Sequence, residues 1–506
     1  MSEKHKQSNA QTQSKSRVFT SSLNENVSLI KSIFADVDPM QYRWISGEVS
    51  DSVPRMCFIY SDGVVDSNII DDHIIKPLMQ TGKISSKVNL LDYLCNHVIQ
   101  VNGIKKIANL DTLVSSISYG DSALLVEGCS EAILLDTKSF ISRSIAEPDG
   151  EKILSGPREG FSEVLMQNLS LVRRKLRSSD LKMKYYGIGE RSNTQLCIVY
   201  LDSLIKREVL QELYRRLDQI QIDAVLDANY ITELIRDNKW SAFHTTGYTE
   251  RPDVVAGKLL EGRIALFVDG TPVVITVPYL FIENFQSNED YYLNFYYTSV
   301  SRILRIVGFL LAITTPAFYV AIVAYHQEML PTTLMINIAT DSHNVPMPAA
   351  IEAILLLLMF DILRETGVRM PLGVGQALSV VGALVVGSAA VEANLATATT
   401  IIVAAISGIT SLLIPKLNVP SVLIRIGLLL LASVLGFYGV VLGMAVLFAH
   451  VLSLESFGIP QLTRDHTLSY QRIKDSFIRA PWWQMRTRPE FLSQSTVRLR
   501  EKEDNL

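Results

Sequence analysis

Residues 371–395 have the sequence PLGVGQALSVVGALVVGSAAVEANL, which is apolar and long enough to cross a lipid bilayer as a helix. Small side chains recur at every fourth position, the pattern that lets membrane helices approach closely; they are Gly375, Ser379, Ala383 and Gly387. At about 100° per residue, a second face carries Val381, Val385, Ser388 and Glu392. Because an acid is costly in hydrocarbon, its presence indicates a functional environment. The stretch therefore predicts a helix with one packing face and one face toward an aqueous path.

Two alternatives stay open for this helix. The acid Glu392 is also compatible with a helix end whose side chain reaches the lipid headgroups. The small-residue face is also compatible with ordinary packing between helices, without a role in assembling several copies of the chain.

The distribution of charge divides the chain into a soluble part and a membrane part. A chain of 506 residues is too long for one compact domain, and its net charge of −4 gives no indication of nucleic acid binding. Only 11 charged side chains occur between residues 303 and 452, whereas the first 300 residues have an ordinary soluble composition. A large soluble domain is therefore expected to precede a membrane domain.

The predicted fold is a mixed α+β/α class, with two soluble α/β subdomains followed by an α-helical membrane domain. No convincing sequence repeat relates the two subdomains. The expected boundaries are a disordered polar tail (1–21), a first α/β subdomain (22–141), a linker (142–158), a second α/β subdomain (159–287), the membrane domain (288–452) and a basic cytoplasmic tail (453–506).

The apolar runs predict about four transmembrane helices, at 303–325, 373–393, 399–414 and 423–452, the last long and therefore tilted or extended. Residues 349–366 are bracketed by charges and favour a re-entrant or interfacial helix. The connection 326–348 has no Lys or Arg, while the C-terminal tail has many, so the positive-inside rule places both termini in the cytoplasm. In this topology Glu392 lies toward the cytoplasmic mouth, and Lys416 is a minor violation on the outer side.

Motifs for catalysis or cofactor binding are absent from the sequence. There is no phosphate-binding Gly-rich loop followed by Lys-Ser/Thr, no HExxH, no paired CxxC and no nucleophile elbow. Four free thiols are expected, all in the soluble part, at Cys57, Cys95, Cys129 and Cys197. We therefore expect neither an enzyme nor a metal or cofactor site.

Several long blocks resemble the A subunits of the GerA-type spore germination receptors of endospore-forming bacteria. In the soluble part and its exit they are SGPREGFSEVLMQNLSLVRRKLRSSDLK (from 155), ERPDVVAGKLLEGRIALFVDGTPVVITVPY (from 250) and NEDYYLNFYYTSVSRILR (from 288). In the membrane part they are AYHQEMLPTTL (from 324), NVPMPAAIEAILLLLMFDILRETGVRMP (from 344) and VVGALVVGSAAVEANL (from 380). The resemblance covers roughly residues 50–460.

The resemblance implies a protein of the spore inner membrane, working beside a nutrient-binding, multi-span B subunit and a lipoprotein C subunit. It implies a homo-oligomer, expected to be a pentamer, that forms a ligand-gated channel for monovalent cations, either in a nutrient receptor or in a related accessory type. The helix matching 380–395 is the implied pore lining. A Val ring gates such a pore by dewetting, and a carboxylate ring concentrates cations. A secondary transporter and a non-conducting membrane scaffold are the alternative functions.

Overall fold

The computed structural model describes two compact units. The described residues are 19–45, 54–80, 90–138, 148, 150–153, 155–370, 387–462, 475–489, 491–495 and 497–498. The first unit, here called the α/β unit, is formed within Met1–Ile235, Thr246–Pro278 and Arg488–Val497. The second, the helical unit, is formed within Arg236–Thr245, Tyr279–Thr487 and Arg498–Leu506.

The α/β unit begins with a five-stranded antiparallel sheet of strand order β1-β2-β4-β5-β3. The strands are β1 (Met40–Ile45), β2 (Met56–Ser61), β3 (Ile104–Ile107), β4 (Ser122–Val126) and β5 (Ala132–Leu135). The helices are α1 (Leu23–Ile33), α2 (Lys76–Gln80) after a π-helix at Ile69–Ile75, α3 (Leu90–Tyr93) continued by a π-helix at Leu94–Val98, and α4 (Leu110–Ser118).

Helices cover both faces of this first sheet. Successive side chains of a strand point to opposite faces, so Met56 and Phe58 of β2 enter one core while Cys57 and Ile59 enter the other. The first core also contains the residues of α2, α3 and the π-helices, and the second contains those of α1 and α4. Burial on both sides explains why β2 is an unbroken apolar run rather than an alternating one.

The second half of the α/β unit repeats this topology. Its elements are α5 (Leu165–Lys175), β6 (Leu181–Ile188), β7 (Thr194–Leu201), α6 (Arg207–Asp218), α7 (Ala228–Ile235), β8 (Gly247–Thr249), α8 (Pro252–Leu260), β9 (Ile264–Val268) and β10 (Val274–Val277). Their order β6-β7-β9-β10-β8 is the same permutation as in the first sheet, again with one helix before the first strand. The two α/β subdomains are thus a structural repeat, although the sequence shows no convincing one.

Backbone contacts join the two subdomains. Val37 forms a parallel bridge with Met183 of β6. The amide of Tyr185 donates to the carboxylate of Asp38 at 2.6 Å, and Lys182 Nζ donates to the carbonyl of Ile33 at 3.1 Å. Both sheets therefore belong to one packed unit.

The helical unit consists of long apolar helices. They are α9 (Phe295–Tyr325), α10 (Thr332–His343), α11 (Ala349–Arg369), α12 (Ala398–Ser411) and α13 (Asn418–Ser453), with a further helical stretch at 387–392. Among the described residues, two stretches are long and apolar enough to cross a membrane, Phe295–Tyr325 and Pro415–Ser453. The structure thus has an α/β part followed by a helical part with membrane-compatible helices.

The last helix, α13, folds back on itself at Gly436. Gly436 has φ 60° and ψ −139°, a conformation that is not helical. A Cβ built on Gly443 would lie 2.5 Å from Leu428 Cδ2, whereas fifteen residues of straight helix span roughly 22 Å. The expected single tilted span at 423–452 is therefore wrong, since the chain forms a hairpin of two arms, 418–435 and 437–453, with glycines where the arms touch.

Hydrogen bonds fix the relative directions of the helices. Tyr319 near the end of α9 accepts a hydrogen bond from Thr400 at the start of α12, and the Ala312 carbonyl of α9 accepts one from Ser407 at 2.6 Å. The helices α9 and α12 are therefore antiparallel. Tyr325 at the end of α9 donates to the Ser433 carbonyl at 2.6 Å, which puts the tip of the α13 hairpin at that same end.

Helix α11 runs in the same direction as α12. Glu352 near its start accepts a hydrogen bond from the Thr397 amide, which precedes α12, and Phe360 lies against Gly408 farther along. Its 21 residues form one continuous helix beside α12. Residues 349–369 therefore form one uninterrupted helix that lies alongside α12, not a re-entrant segment that turns back on itself.

These directions reverse the expected position of Glu392. Since the chain joins residue 392 to the start of α12, Glu392 lies at the end of the helical unit where α9 finishes. If α9 starts in the cytoplasm, Glu392 faces the outer side, not the cytoplasmic mouth. Lys416, which follows α12, then lies on the cytoplasmic side, and its violation of the positive-inside rule disappears.

Candidate pore helix and the buried charges around it

Five of the eight predicted site residues lie outside the described residues. They are Gly375, Ser379 and Ala383 of the small face, and Val381 and Val385 of the second face. The other three, Gly387, Ser388 and Glu392, belong to the helical stretch 387–392.

The three described residues lie on two different sides of their helix. A Cβ built on Gly387 would lie 3.9 Å from Ile401 Cγ2 of α12, so the last small residue faces a helix of its own chain. Ala390, on the same side, packs against the core that contains Ala353 and Ala404. Ser388 and Glu392 are exposed. At Gly387 and Ala390 this helix therefore packs on its own chain, while Ser388 and Glu392 lie exposed on another side.

Glu392 occupies the last turn of its helix. Asn394 adopts a left-handed conformation with φ 51°, and the amide of Leu395 returns to the carbonyl of Ala390 at 2.8 Å, as is typical of helix C-termini. The carbonyl end of a helix dipole is negative, and an acid there adds to that potential instead of compensating it. The end of this helix is therefore electrostatically suited to a cation.

A buried polar cluster fixes the turn that follows Glu392. Thr397 caps α12 by accepting a hydrogen bond from the Thr400 amide, and its own amide donates to Glu352 at 2.5 Å. The Thr400 hydroxyl continues to Tyr319 at 3.0 Å. Glu352 is only 3 % exposed. Because three helices meet in this cluster, the position of Glu392 is tied to α9, α11 and α12.

A second group of charges lies deeper in the unit. Asp361 of α11 accepts a hydrogen bond from Arg425 of α13 at 2.5 Å and also pairs with Arg364 at 3.4 Å. Arg425 is 1 % exposed, and its other nitrogen donates to Ser407 of α12 at 3.3 Å. This group links α11, α12 and α13 through charge-assisted hydrogen bonds.

The spacing of Asp361, Arg364 and Glu365 at i, i+3 and i+4 is by itself typical of a solvated helix end with an internal ion pair. The internal pair of Asp361 with Arg364 is present, but Asp361 also pairs with the buried Arg425 and is not a solvated acid. The exposed pair begins one turn later, between Glu365 and Arg369. The signal that could have found the partner is Arg425, the one Lys or Arg within 417–452, because a cation inside an apolar helix needs a counter-charge.

Metal binding finds no support among the described residues, where no group of three or more His, Cys, Asp or Glu side chains is placed to hold an ion. The four cysteines are free thiols in the α/β unit. Burial raises the pKa of the Cys57 thiol to about 11, which makes it a structural rather than a reactive cysteine.

Comparison with known proteins gives a family match over most of the chain. A family model described as "Bacillus/Clostridium GerA spore germination protein" matches residues 28–491. Spore germination protein KA of Bacillus subtilis (strain 168) is 39% identical over 442 residues, which cover 87% of this chain and 81% of that protein.

Two further similarities involve a membrane protein and a solved structure. The uncharacterized membrane protein YfkQ of Bacillus subtilis (strain 168) is 37% identical over 469 residues, 92% of this chain and 90% of that protein. The crystal structure of the N-terminal domain of the A subunit of the Bacillus megaterium spore germinant receptor GerK3 is similar with 30% identity and a TM-score of 0.40, covering 53% of this chain and 98% of that one.

Proposed function

Because this chain belongs to the GerA family of spore germination proteins, we propose that it is the A subunit of a spore germinant receptor and forms an oligomeric, ligand-gated cation channel. The channel releases monovalent cations from the spore core across the inner membrane. The nutrient is sensed by a multi-span B subunit, and a lipoprotein C subunit completes the complex.

Six antiparallel segments cross the membrane in this proposal, instead of the four expected from hydropathy. They are α9, α11, the helix that ends near 392, α12 and the two arms of α13. On one side of the membrane, where α9 begins and where α11 and α12 end, the chain carries Arg302, Arg305, Arg369 and Lys416. On the other side, the connections 326–348, 393–397 and 433–438 contain no Lys or Arg. This asymmetry favours cytoplasmic N- and C-termini, and six keeps the count even.

The pore is formed by the helix 373–393 from several copies of the chain, with Val381, Val385, Ser388 and Glu392 along the wall. The observation that carries this proposal is the exposed position of Ser388 and Glu392 on a helix whose Gly387 faces its own chain. The acid lies at the negative end of its helix in an apolar unit, an arrangement that favours a nearby cation or water. A ring of Glu392 carboxylates at the outer mouth concentrates cations, and the Val rings below it form the gate.

The proposal requires several identical copies, because one such helix cannot enclose a path; the family resemblance implies that they form a pentamer. Nutrient binding to the B subunit opens the path only if it stabilises the open arrangement over the closed one. Small movements of the Val rings are then sufficient to wet the gate.

Potassium flux from proteoliposomes containing the purified protein tests the proposal. The wild-type protein is expected to be nearly closed alone, Val385→Ala to leak because its gate is wider and less apolar, and Val385→Ala with Glu392→Gln to leak less. Glu328→Gln is the matched control, since Glu328 is an exposed acid outside the proposed pore. Uptake that depends steeply on an ion gradient would indicate a secondary transporter, and silence of every variant would indicate a non-conducting scaffold.

A further inference from the structure

The C-terminal tail returns to the beginning of α9. After α13 ends at Ser453, the described residues 475–487 of the helical unit lie against the first turns of that helix. Ser299 of α9 donates to the Arg479 carbonyl at 3.4 Å, and the ring of Trp483 meets that of Phe295 edge-on at 5.9 Å. This part of the tail is therefore a packed element.

A buried arginine holds the tail in place. Arg302 of α9 is fully buried; it donates to Asp290 at 2.9 Å and to the carboxylate of Asp475 at 2.9 Å. The other carboxylate oxygen of Asp475 accepts from Tyr291 at 2.7 Å, and its carbonyl accepts from Gln286, also at 2.7 Å. Since a buried guanidinium needs its counter-charges, Asp475 ties the tail firmly to α9. We call this group the Arg302 clamp.

The clamped tail exposes large apolar side chains. Trp482 is 49% exposed and Trp483 is 65% exposed, and Phe477 and Ile478 are exposed as well, while Arg479 of the same segment is buried. Tyr296, Tyr297 and Val300 of α9 are exposed beside them. Water disfavours such a contiguous apolar surface, which normally marks an interaction site.

The surrounding surface indicates what covers these side chains. The exposed apolar residues of α9, beginning with Ile303, Leu304 and Val307, continue directly from the tyrosines into the membrane-compatible part of the helix. Trp and Tyr at the end of a span are typical of the headgroup layer. Residues 472–488 also carry five Lys or Arg against one acid, Asp475; of the described cations in this segment, Arg479 is buried and Arg486 is exposed. Aromatic rings and positive charge together match an anionic lipid surface.

We propose that residues 475–487 form a membrane-surface anchor that seats Trp482 and Trp483 in the headgroup region of the cytoplasmic leaflet and prefers anionic lipids. Together with Tyr296 and Tyr297, the anchor lies at the first turns of α9. This part of the basic tail is then not a solvated extension, because it fixes how deeply α9 sits in the bilayer. The proposal needs α9 to cross the membrane but is independent of ion conduction.

Tryptophan fluorescence of the full-length protein in lipid nanodiscs tests this anchor. The chain has four Trp residues, so Trp44→Phe with Trp240→Phe leaves Trp482 and Trp483 as the only emitters. We expect strong quenching by lipids brominated near the headgroup end of the acyl chain, weaker quenching by deep bromines and little quenching by aqueous iodide. Efficient iodide quenching without lipid quenching would place the tail in water, and absence of both would indicate cover by another protein copy; either result overturns the proposal.

Two further experiments in the Trp44→Phe, Trp240→Phe protein measure how quenching depends on lipid charge and on the Arg302 clamp. Quenching by acrylamide, which is uncharged and therefore not repelled by anionic lipid, should be several-fold weaker in nanodiscs with phosphatidylglycerol than in nanodiscs of phosphatidylcholine alone, and equal quenching would refute the preference for anionic lipids. Asp475→Asn should raise iodide quenching several-fold because the tail loses its charged contact with Arg302. Glu328→Gln, far from the tail in the chain, should leave the quenching unchanged, and an Asp475→Asn protein that behaves like it would contradict the role of the clamp.

Discussion

At the scale of single residues, the ion pair of Asp361 with Arg425 is the most consequential contact in the helical unit. Asp361→Asn leaves the guanidinium of Arg425 buried without its counter-charge, so we expect a loss of about 3–5 kcal/mol of unfolding free energy. The thermal unfolding midpoint of the purified protein in detergent should fall accordingly.

Two control variants separate this effect from a general loss of charge. Glu365→Gln removes an acid of the same helix whose pair with Arg369 is exposed, so the change should stay within about 1 kcal/mol. Replacing both partners with apolar residues, Asp361→Leu with Arg425→Met, should recover much of the loss, since the buried Arg425 charge is gone and only the partly exposed Arg364 then lacks its carboxylate. Equal losses of unfolding free energy in Asp361→Asn and Glu365→Gln would show that the buried pair contributes no more to stability than the exposed one.

The thiol of Cys57 reports on the packing of the first sheet. Burial is the largest cause that raises its pKa from 9.0 to about 11, while Lys31 lowers it. Its folded-state pKa lies above the unfolded one, so its contribution to stability is complete below pH 9 and is lost as the pH rises toward 11. Peptide mapping after iodoacetamide treatment at pH 8 should find Cys57 unmodified until denaturant is added. Rapid modification of the native protein would contradict the described core.

At the scale of elements, the α13 hairpin depends on glycines where its arms cross. A Cβ on Gly439 would run into the carbonyl of Leu431 in the other arm, so Gly439→Ala should cost roughly 1–3 kcal/mol through overpacking. Gly427→Ala is the matched control: a Cβ there meets nothing within 4 Å, and alanine favours the helix. Thermal unfolding in detergent should therefore rank Gly439→Ala clearly below Gly427→Ala, and the reverse order would argue against the hairpin.

Cysteine labelling distinguishes the hairpin from one long helix. Tyr438 is exposed, two residues beyond the bend, so Tyr438→Cys should react with a membrane-impermeant maleimide from the outer side. Val446→Cys, exposed in the middle of the second arm, should stay unlabelled because it faces lipid. A single span over 423–452 would instead bury both positions in the bilayer and leave both unlabelled.

The sequence could predict the α/β content and the apolar helices, but not how the helices turn. Glycine is common in membrane helices, so Gly436 gives no local sign of a bend. The short connections beside α12 hold one charge, Lys416, too little to decide a direction by the positive-inside rule alone. The partners of Asp361 and Glu352 come from helices 64 and 45 residues away, and such contacts have no signature in hydropathy.

At the scale of the whole molecule, two units of different chemistry share one chain. The α/β unit repeats one topology without a recognisable sequence repeat, because burial on both sheet faces constrains mainly apolarity and length. Of the candidate site, helical periodicity predicted that Gly387 lies on a different side of its helix from Ser388 and Glu392, and the structure has Gly387 near α12 and the other two exposed. Their roles in assembly and in a pore stay predictions. The sequence placed Glu392 at the end of the helical unit where α9 begins, whereas the structure places it where α9 finishes, because that position depends on the full set of helix directions.

Charged thiol modification at Ser388 tests the proposed ion path most directly. In a Val385→Ala background, which is expected to conduct, Ser388→Cys should lose most of its potassium flux in proteoliposomes when a cationic methanethiosulfonate reagent is added, and a reductant should restore it. The native thiols should not interfere, since all four have pKa values raised by burial. We predict this reversible block for Ser388→Cys and none for a Tyr438→Cys control. Complete modification of Ser388→Cys with unchanged flux would contradict a pore lined by this helix.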